Sequence, residues 1–331
     1  MLLSAVIPVY NEVDSLETLY DQIVVIAKND RFDLEIVFVD DGSRDGSWDV
    51  IKRLADADAR VHGIRFRRNF GKAAALNAGF SETRGEIVFT LDADLQDDPA
   101  EIPRFVDQIE HGLDVVSGWK KIRHDPWHKV FPSRVFNYMV SKLTGVHLHD
   151  HNCGLKCYRR EVLGEVRLYG ELHRFIPVLA HARGFRVGEL IIHHRPRQHG
   201  HSKYGLGRFI KGFLDLLTVK FLTGFGQRPL HFFGTLGLVF FLIGSLGLSF
   251  LAFDWTANWL HPRPTHIPLH QRPAVLYSVA ALLLGGQLLS LGIVAEMITA
   301  YHGRDRDTYS VTERTVARVA TQDRVGHESS L

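Results

Sequence analysis

Ile87–Pro99 reads IVFTLDADLQDDP, and the N-terminal two thirds of the chain can be read outward from it. Ile87–Leu91 has the length and the β-branched and aromatic content of a buried strand, and it runs straight into a group of acids. Asp92 and Asp94 alternate with Ala93, so an extended backbone would turn both carboxylates to one side, and Gln96 continues the alternation. Two hard oxygen donors with an amide beside them suit Mg²⁺ or Mn²⁺ shared with a diphosphate. Asp92, Asp94 and Gln96 are therefore the metal candidates. Asp98-Pro99 followed by Glu101 has the pattern of an N-cap with proline at the first helical position, and Asp97 and Asp98 are both assigned to capping.

Further apolar runs of strand length flank this segment: Leu3–Val9, Leu34–Val39, Val61–Phe66 and Asp114–Val116. Ser15–Lys28, Ser47–Ala57, Lys72–Thr83 and Pro99–His111 have helical spacing between them. This alternation predicts an α/β fold with a mostly parallel sheet flanked by helices. In such sheets ligands bind beyond the carboxyl ends of the strands. The first strand ends in Pro8-Val9-Tyr10-Asn11-Glu12 and the second in Asp40-Asp41-Gly42-Ser43, where Gly42 serves a turn. No GxGxxG follows a strand and no Walker-type loop is present, which disfavours dinucleotide enzymes and P-loop ATPases. Lys72 opens a helix after Gly71, either solvated or facing a donor phosphate at that helix N-terminus.

The whole chain has 331 residues, 39 basic against 37 acidic side chains and 45% hydrophobic residues. That excludes disorder and a disulfide scaffold, and Cys153 and Cys157 are too few for a disulfide framework. A net charge of +2 gives no reason to expect nucleic acid as a partner. The mean hydropathy of -0.04 averages two unlike parts. Phe232–Phe253 and Ala274–Ala295 contain no charged residue. Each would be about 33 Å long as a helix, enough for a bilayer core of about 30 Å. Trp255, Trp259, Arg228 and Arg304 flank them, so two transmembrane helices are expected. Arg208, Lys211, Lys220 and Arg228 precede the first span, and Arg304, Arg306 and Arg314 follow the second. The connecting loop holds only Arg263 and Arg272, which places both termini and the N-terminal domain in the cytoplasm. Met1–Val9 is too short for a signal segment and reads as a buried strand.

Two basic stretches bracket the membrane-proximal side. Trp119–Arg134 carries Lys120, Lys121, Arg123, Lys129 and Arg134, and a second run from Arg195 and Arg197 leads through Lys203 to Arg208. A charge run is usually a solvated face, but anionic headgroups or a lipid phosphate beside a membrane would need that charge. Residues 205–228 set Phe, Ile and Leu against Arg208, Lys211 and Lys220, as helices lying on the interface would. His147, His149 and His151 with Cys153 match no common zinc spacing, and both cysteines are expected to be small packed residues.

PVYNE, VDDGS and DADLQDDP, each after an apolar strand, resemble the family 2 glycosyltransferases, whose nucleotide-sugar-binding α/β fold is called GT-A. The resemblance runs from about Leu3 to Tyr204, and the two C-terminal spans resemble the polyprenyl-phosphate sugar transferases of that family. It implies that Pro8, Tyr10, Glu12, Asp40 and Asp41 hold the nucleobase and ribose. It also implies that Asp92 and Asp94 hold a divalent ion on the diphosphate, with Gln96 beside them. Arg123, Arg134 and Lys203 match positions that hold the lipid phosphate, and Asp150 matches a site aspartate. Asp150 and Asp94 are thus the catalytic candidates, and Glu171–Arg174 falls loosely where acceptor- or sugar-facing residues lie.

The implied activity is inverting transfer from a UDP- or GDP-sugar to a membrane polyprenyl phosphate. The alternatives are transfer to a sugar hydroxyl of a glycan or lipid, and a non-catalytic nucleotide-sugar-binding adaptor in the membrane. The expected organisation is a cytoplasmic catalytic domain (1–204), interfacial helices (205–228), a two-helix membrane domain (229–302) and a cytoplasmic tail (303–331). Partners are the nucleotide-sugar, the polyprenyl phosphate and the membrane; a homo-oligomer is left open.

Overall fold

β1 (Leu2–Val9) and β4 (Ile87–Thr90) pair in parallel at the middle of a seven-stranded sheet, and the order in which strands are added reverses between them. The computed structural model describes residues 1–121, 127–166, 168, 170, 172–193, 195, 207–225, 228–262 and 267–302. To one side of β1 lie β2 (Asp33–Asp40) and β3 (Val61–Arg65), both parallel to it. Beyond β4 come β6 (Lys156–Arg159), β5 (Val115–Trp119) and β7 (Val187–Ile191), with β6 antiparallel to both of its neighbours. The full order is β3-β2-β1-β4-β6-β5-β7.

The parallel half follows from sequence in the expected way. β1 and β2 are almost wholly buried, so they read as continuous apolar runs rather than alternating ones. The helices α1 (Leu16–Asn29), α2 (Ser47–Ala57), α3 (Lys72–Glu82) and α4 (Ile102–Glu110) connect these strands. Two cores result, one under each face of the sheet. Ile7, Leu16, Ile23, Ile36, Phe38, Phe89 and Phe105 fill the first; Val6, Val37, Leu76, Val88, Tyr158 and Ile176 fill the second.

A third cluster ties the domain to the membrane-proximal part. α7 (Ile176–Ala182) and the short α6 (Arg160–Glu165) pack on the second half of the sheet, and α5 (Trp127–Thr144) packs against α8 (Gly207–Gly224). Val140, Phe175 and Val178 pack with Leu216 and Val219 of α8. The opposite face of α8 exposes Phe213, Leu214 and Leu217. One helix thus has an apolar face packed on the sheet domain and a second apolar face that is exposed.

α9 (Pro229–Leu260) and α10 (Pro273–His302) form an antiparallel hairpin, and both are long and apolar enough to cross a membrane. Only 17% of the most apolar window of each is buried, the reverse of a soluble core helix. Close approach depends on glycine: a Cβ at Gly237 would stand 2.9 Å from the carbonyl oxygen of Gly285. Each end of the hairpin is fastened by a polar contact. Arg272 pairs with Asp254 at 2.7 Å, and Leu230 N donates to Glu296 Oε2 at 3.1 Å, occupying a free donor at the start of α9. The chain is a membrane protein.

Candidate functional site

The loops after β1, β2 and β4 converge where the strand order reverses, the place where an open α/β sheet leaves a crevice. Asn11 turns the first loop through a left-handed conformation (φ 57°) that asparagine tolerates. Its N–H donates to Ser43 Oγ at 3.0 Å and its Oδ1 accepts from Arg44 N at 2.9 Å. Glu12 N donates to Ser47 Oγ at 3.1 Å, so the first two loops are stitched into one rim. Pro8 lies within β1, Tyr10 is exposed on the rim and Glu12 is half-buried beside it.

Asp40 and Asp41 lie beneath that rim. Asp40 Oδ1 accepts from Ser43 N at 2.8 Å, and its Oδ2 stands 3.4 Å from Arg65 Nε. Asp41 accepts from Phe70 N at 2.6 Å and Gly71 N at 2.9 Å, which fixes the loop leading into α3. Burial outweighs those two donors and Asp40 adds repulsion, so the Asp41 carboxyl is pushed above its ordinary value. Gly42 between the acids and Ser43 has φ 75°, and a Cβ there would meet Arg68 C at 2.6 Å. Only glycine closes this turn.

The metal-candidate loop departs from the expected geometry. β4 stops at Thr90, Asp94 sits in a turn and Leu95 is left-handed (φ 61°). The acids therefore sit at a turn and not on an alternating strand. Asp94 Oδ1 accepts from Gln96 N at 3.2 Å. Asp98 is the cap expected of it, its Oδ1 accepting from Ala100 N at 3.0 Å with Pro99 next. Asp97 is not a cap. Its carboxylate is fully buried and pairs with Lys120 at 2.8 Å. Lys120 therefore leaves the basic run in which the sequence placed it, because β5 ends beside the acid loop and draws its ammonium inward.

Lys72 resolves in the same direction: as the first residue of α3 it pairs with Asp92. Burial alone would raise the Asp92 carboxyl, but the Lys72 ammonium, with Lys120 and His173 farther off, brings it down to about 2. Burial also works against charge on Lys72 and Lys120, and the acids opposite overrule it, holding both above the ordinary lysine value. Gly154 supplies the room. A Cβ there would stand 2.5 Å from Asp92 Oδ2 and 2.9 Å from Asp97 Oδ2.

Among the described residues no three His, Cys, Asp or Glu side chains gather as a metal cage. The open set of Asp92 and Asp94 fits a hard cation that completes its shell with substrate diphosphate and water, as Mg²⁺ characteristically does. Lys72 takes Asp92 Oδ1, and Oδ2, which lies over Gly154, is the oxygen it leaves for such a cation.

On the far side of β4, Asp150 is buried, and its Oδ1 accepts from Asn152 N at 3.0 Å. His149 stacks on Trp119 with ring centroids 3.9 Å apart and 11° between planes. His151 is sealed in, with Nε2 3.2 Å from Ser141 Oγ. Burial, with Lys156 adding repulsion, lowers its pKa to about 3. Cys153 and Cys157 are the buried, free cysteines expected, and burial pushes both thiols up to about 12. Arg174 is buried and His173 half-buried; burial of its ring, reinforced by Lys72 and Arg174, keeps His173 well below its ordinary value.

Arg134 is on α5 and exposed. Arg123, Glu171 and Lys203, the run from Arg197 to Arg208 apart from the backbone of α8, and the tail arginines lie outside the described residues or side chains. Sequence reasoning missed Lys156, whose ammonium donates to the carbonyl of Cys153, and Glu189. The only trace of the first was a lone lysine between Leu155 and Cys157.

A mostly parallel sheet flanked by helices, with acids at three strand ends, has the layout of the GT-A fold. Two solved structures share it at the level of fold. One is mannosyl-3-phosphoglycerate synthase from Rubrobacter xylanophilus, with TM-score 0.53, 19% identity, and coverage of 67% of this chain and 74% of that one. The other is glucosyl-3-phosphoglycerate synthase from Mycobacterium tuberculosis, solved with Mn²⁺, UDP and phosphoglyceric acid, with TM-score 0.52, 18% identity, and coverage of 67% and 78%. The family model for glycosyl transferase family 2 matches residues 4–167. Dodecaprenyl-phosphate galacturonate synthase of Rhizobium johnstonii is 37% identical over 308 residues, covering 92% of this chain and 89% of that protein. An undecaprenyl-phosphate 4-deoxy-4-formamido-L-arabinose transferase of Pseudomonas fluorescens is 37% identical over 306 residues, covering 89% and 84%. The chain belongs to glycosyl transferase family 2, and it is a glycosyltransferase.

Proposed function

We propose that the protein moves a sugar from a nucleotide diphosphate sugar to the phosphate of a membrane polyprenol, with inversion at the anomeric carbon. The observation that carries this reading is the extent of the likeness. Similarity to polyprenyl-phosphate sugar transferases covers 92% of the chain, so it takes in both the acid-lined crevice and the apolar hairpin. A soluble acceptor would need no hairpin.

Pro8, Tyr10, Glu12, Asp40 and Asp41 form the nucleoside side. Asp92 and Asp94, with Gln96 beside them, would hold Mg²⁺ or Mn²⁺, which when bound neutralises charge on the leaving diphosphate. Lys72 and Lys120 put two further positive charges beside the same acids, at a site where charge grows as the sugar departs. The acceptor phosphate is taken by Arg134 with Arg123 and Lys203, an arginine fork being suited to its oxygens. A phosphate monoester arrives with a charge of about −1.5 to −2 near neutral pH. It needs little deprotonation, so Asp150 orients the acceptor and takes any residual proton rather than serving as an obligatory base. The catalytic domain and both termini face the cytoplasm.

The test uses the full-length chain in lipid nanodiscs with undecaprenyl phosphate and radiolabelled UDP-galacturonic acid, UDP-glucose and GDP-mannose. Label entering the lipid-extractable product with at least one donor, and only when the lipid carries its phosphate, is the expected result. Label passing to glycan or to free sugar with every donor would overturn the reading.

A further inference from the structure

Three polar residues lie in a row across the second half of the sheet. Lys156 on β6 is directly opposite Ser117 on β5, and Ser117 is directly opposite Glu189 on β7. Directly paired residues point to the same face of a sheet, and all three reach the loop that runs from His149 to Cys153. Lys156 Nζ donates to the Cys153 carbonyl, and Ser117 Oγ lies 3.4 Å from the Asp150 carbonyl. Glu189 contributes most. Its Oε1 accepts from His149 N at 2.8 Å and from Asp150 N at 3.0 Å, and its Oε2 is 2.7 Å from His149 Nδ1. The Glu189 side chain is only 11% exposed, while His149 beside it is 65% exposed and Asp150 is buried. On the other side of the loop, Asn137 Nδ2 donates to the His149 carbonyl at 2.8 Å. The Asp150 peptide is thus gripped at its N–H by one carboxylate and at its carbonyl by a serine, while the His149 ring is held flat on Trp119 by the same carboxylate.

We propose that Glu189 is a positioning residue for the acceptor half of the reaction: it sets the place and direction of Asp150 by binding the two successive backbone N–H groups of residues 149 and 150. This rests on the reading of Asp150 as an acceptor-side residue. Lys156 and Ser117 complete the clamp from the neighbouring strands. Removing the carboxylate takes the shared acceptor from both N–H groups, one of them on the buried Asp150, whereas a glutamine at 189 keeps a carbonyl oxygen for them and loses the charge.

The full chain in nanodiscs serves for three measurements on Glu189→Ala and Glu189→Gln. In Glu189→Ala the amides of His149 and Asp150 should exchange with solvent deuterium about tenfold faster or more, while those of β1 and β4 keep their rates. With the donor that supports transfer, kcat/KM for undecaprenyl phosphate should fall about thirtyfold, and the calorimetric affinity for UDP with Mn²⁺ should stay within about twofold. Glu189→Gln should recover most of the exchange protection and part of the rate. An effect relayed through Asp150 is non-additive with its removal, so in an Asp150→Asn background Glu189→Ala should cost no more than about threefold further. Unchanged exchange at residues 149 and 150, full multiplication of the two substitutions, or loss of UDP affinity in step with rate would each overturn the proposal. If the wild-type chain labels no polyprenyl phosphate with any donor, the reading of its function falls; the exchange measurement then decides by itself whether Glu189 holds this loop.

Discussion

The two halves of the sheet build their sides of the site by opposite means. On the β3-β2-β1-β4 side the polar groups come after the strands: Tyr10 and Glu12 after β1, Asp41 after β2, Asp92 and Asp94 after β4. On the β6-β5-β7 side they come from within the strands, as Lys156, Ser117 and Glu189, and they grip a loop that itself carries the reactive candidate. The first arrangement sets acids at strand ends, where we propose that a cation and a nucleotide bind. The second is a lattice of polar contacts between neighbouring strands and one loop. A donor site must admit and release a soluble nucleotide at each turnover. An acceptor site beside the membrane meets its substrate by lateral diffusion and has more use for a fixed geometry.

The largest expected effect tests the donor half. Asp92→Ala or Asp94→Ala should lower turnover by at least about a hundredfold, since each removes a charged ligand from the diphosphate site. EDTA should do the same to the wild type, reversibly on adding Mn²⁺. Asp92→Ala also strands the Lys72 ammonium, so UDP affinity should be measured beside the rate. Full activity of both variants in chelator would end the metal assignment.

Gly154→Ala asks whether the two halves meet where Asp92 and Asp97 do. The added methyl would press on Asp92 Oδ2 from 2.5 Å, and the backbone of the loop cannot yield easily because Lys156 holds it at Cys153. Donor affinity should fall about tenfold while thermal stability changes modestly, by about 1–3 kcal/mol as overpacking usually costs. Gly164→Ala, with nothing near its Cβ, is the control. Equal behaviour of the two variants would mean the space over Gly154 plays no part in donor binding.

The same contrast explains what the sequence revealed. β1, β2 and β4 are long apolar runs broken by acids, so their ends and their chemistry were visible together, with boundaries correct to within a residue or so. β6 and β7 were invisible because KCYR and VGELI carry charge or glycine inside four- or five-residue strands, too short for periodicity to emerge. Lys120 looked like one more cation in a basic run, and nothing local showed that Asp97 lies opposite it. The turn at Leu95 was equally hidden, since a leucine gives no notice of positive φ. The hairpin was plain, because a bilayer leaves its demand for apolar length in every residue it touches.

On the acceptor side, Arg134→Ala should weaken use of undecaprenyl phosphate about tenfold or more, as loss of a charge-assisted contact worth roughly 1.5–3 kcal/mol predicts. UDP affinity should hold. Arg134→Lys keeps the charge but not the fork and should recover only part of the activity. If Arg134→Ala loses nucleotide binding as severely as acceptor use, the basic helix serves the donor diphosphate and the division between halves is wrong.

The smallest effect probes how tightly the acceptor half is sealed. His151 is buried beside Lys156, and its pKa in the folded chain is about 3, against about 6.5 when unfolded. Because the folded value is the lower one, the folded chain keeps this ring neutral while the unfolded chain takes up a proton below about pH 6.5. Stability owed to the neutral ring is complete above that pH and is lost progressively as pH falls from about 6.5 towards 3. The slope is at most one proton, or about 1.4 kcal/mol per pH unit. His173 is displaced the same way and adds to the total, so the wild-type curve alone does not isolate His151. The difference between wild type and His151→Gln does. Glutamine can still meet Ser141 Oγ, but it has no proton to gain. Urea unfolding of the full chain in micelles at pH 7, 6, 5 and 4.5 should show the variant less stable at neutral pH and the gap narrowing below about pH 6.5 with a slope approaching one proton, about 1.4 kcal/mol per pH unit. Parallel curves would show that residue 151 titrates alike folded and unfolded, as a ring in contact with water does, and the contrast between the donor half and a sealed acceptor half would lose its physical basis.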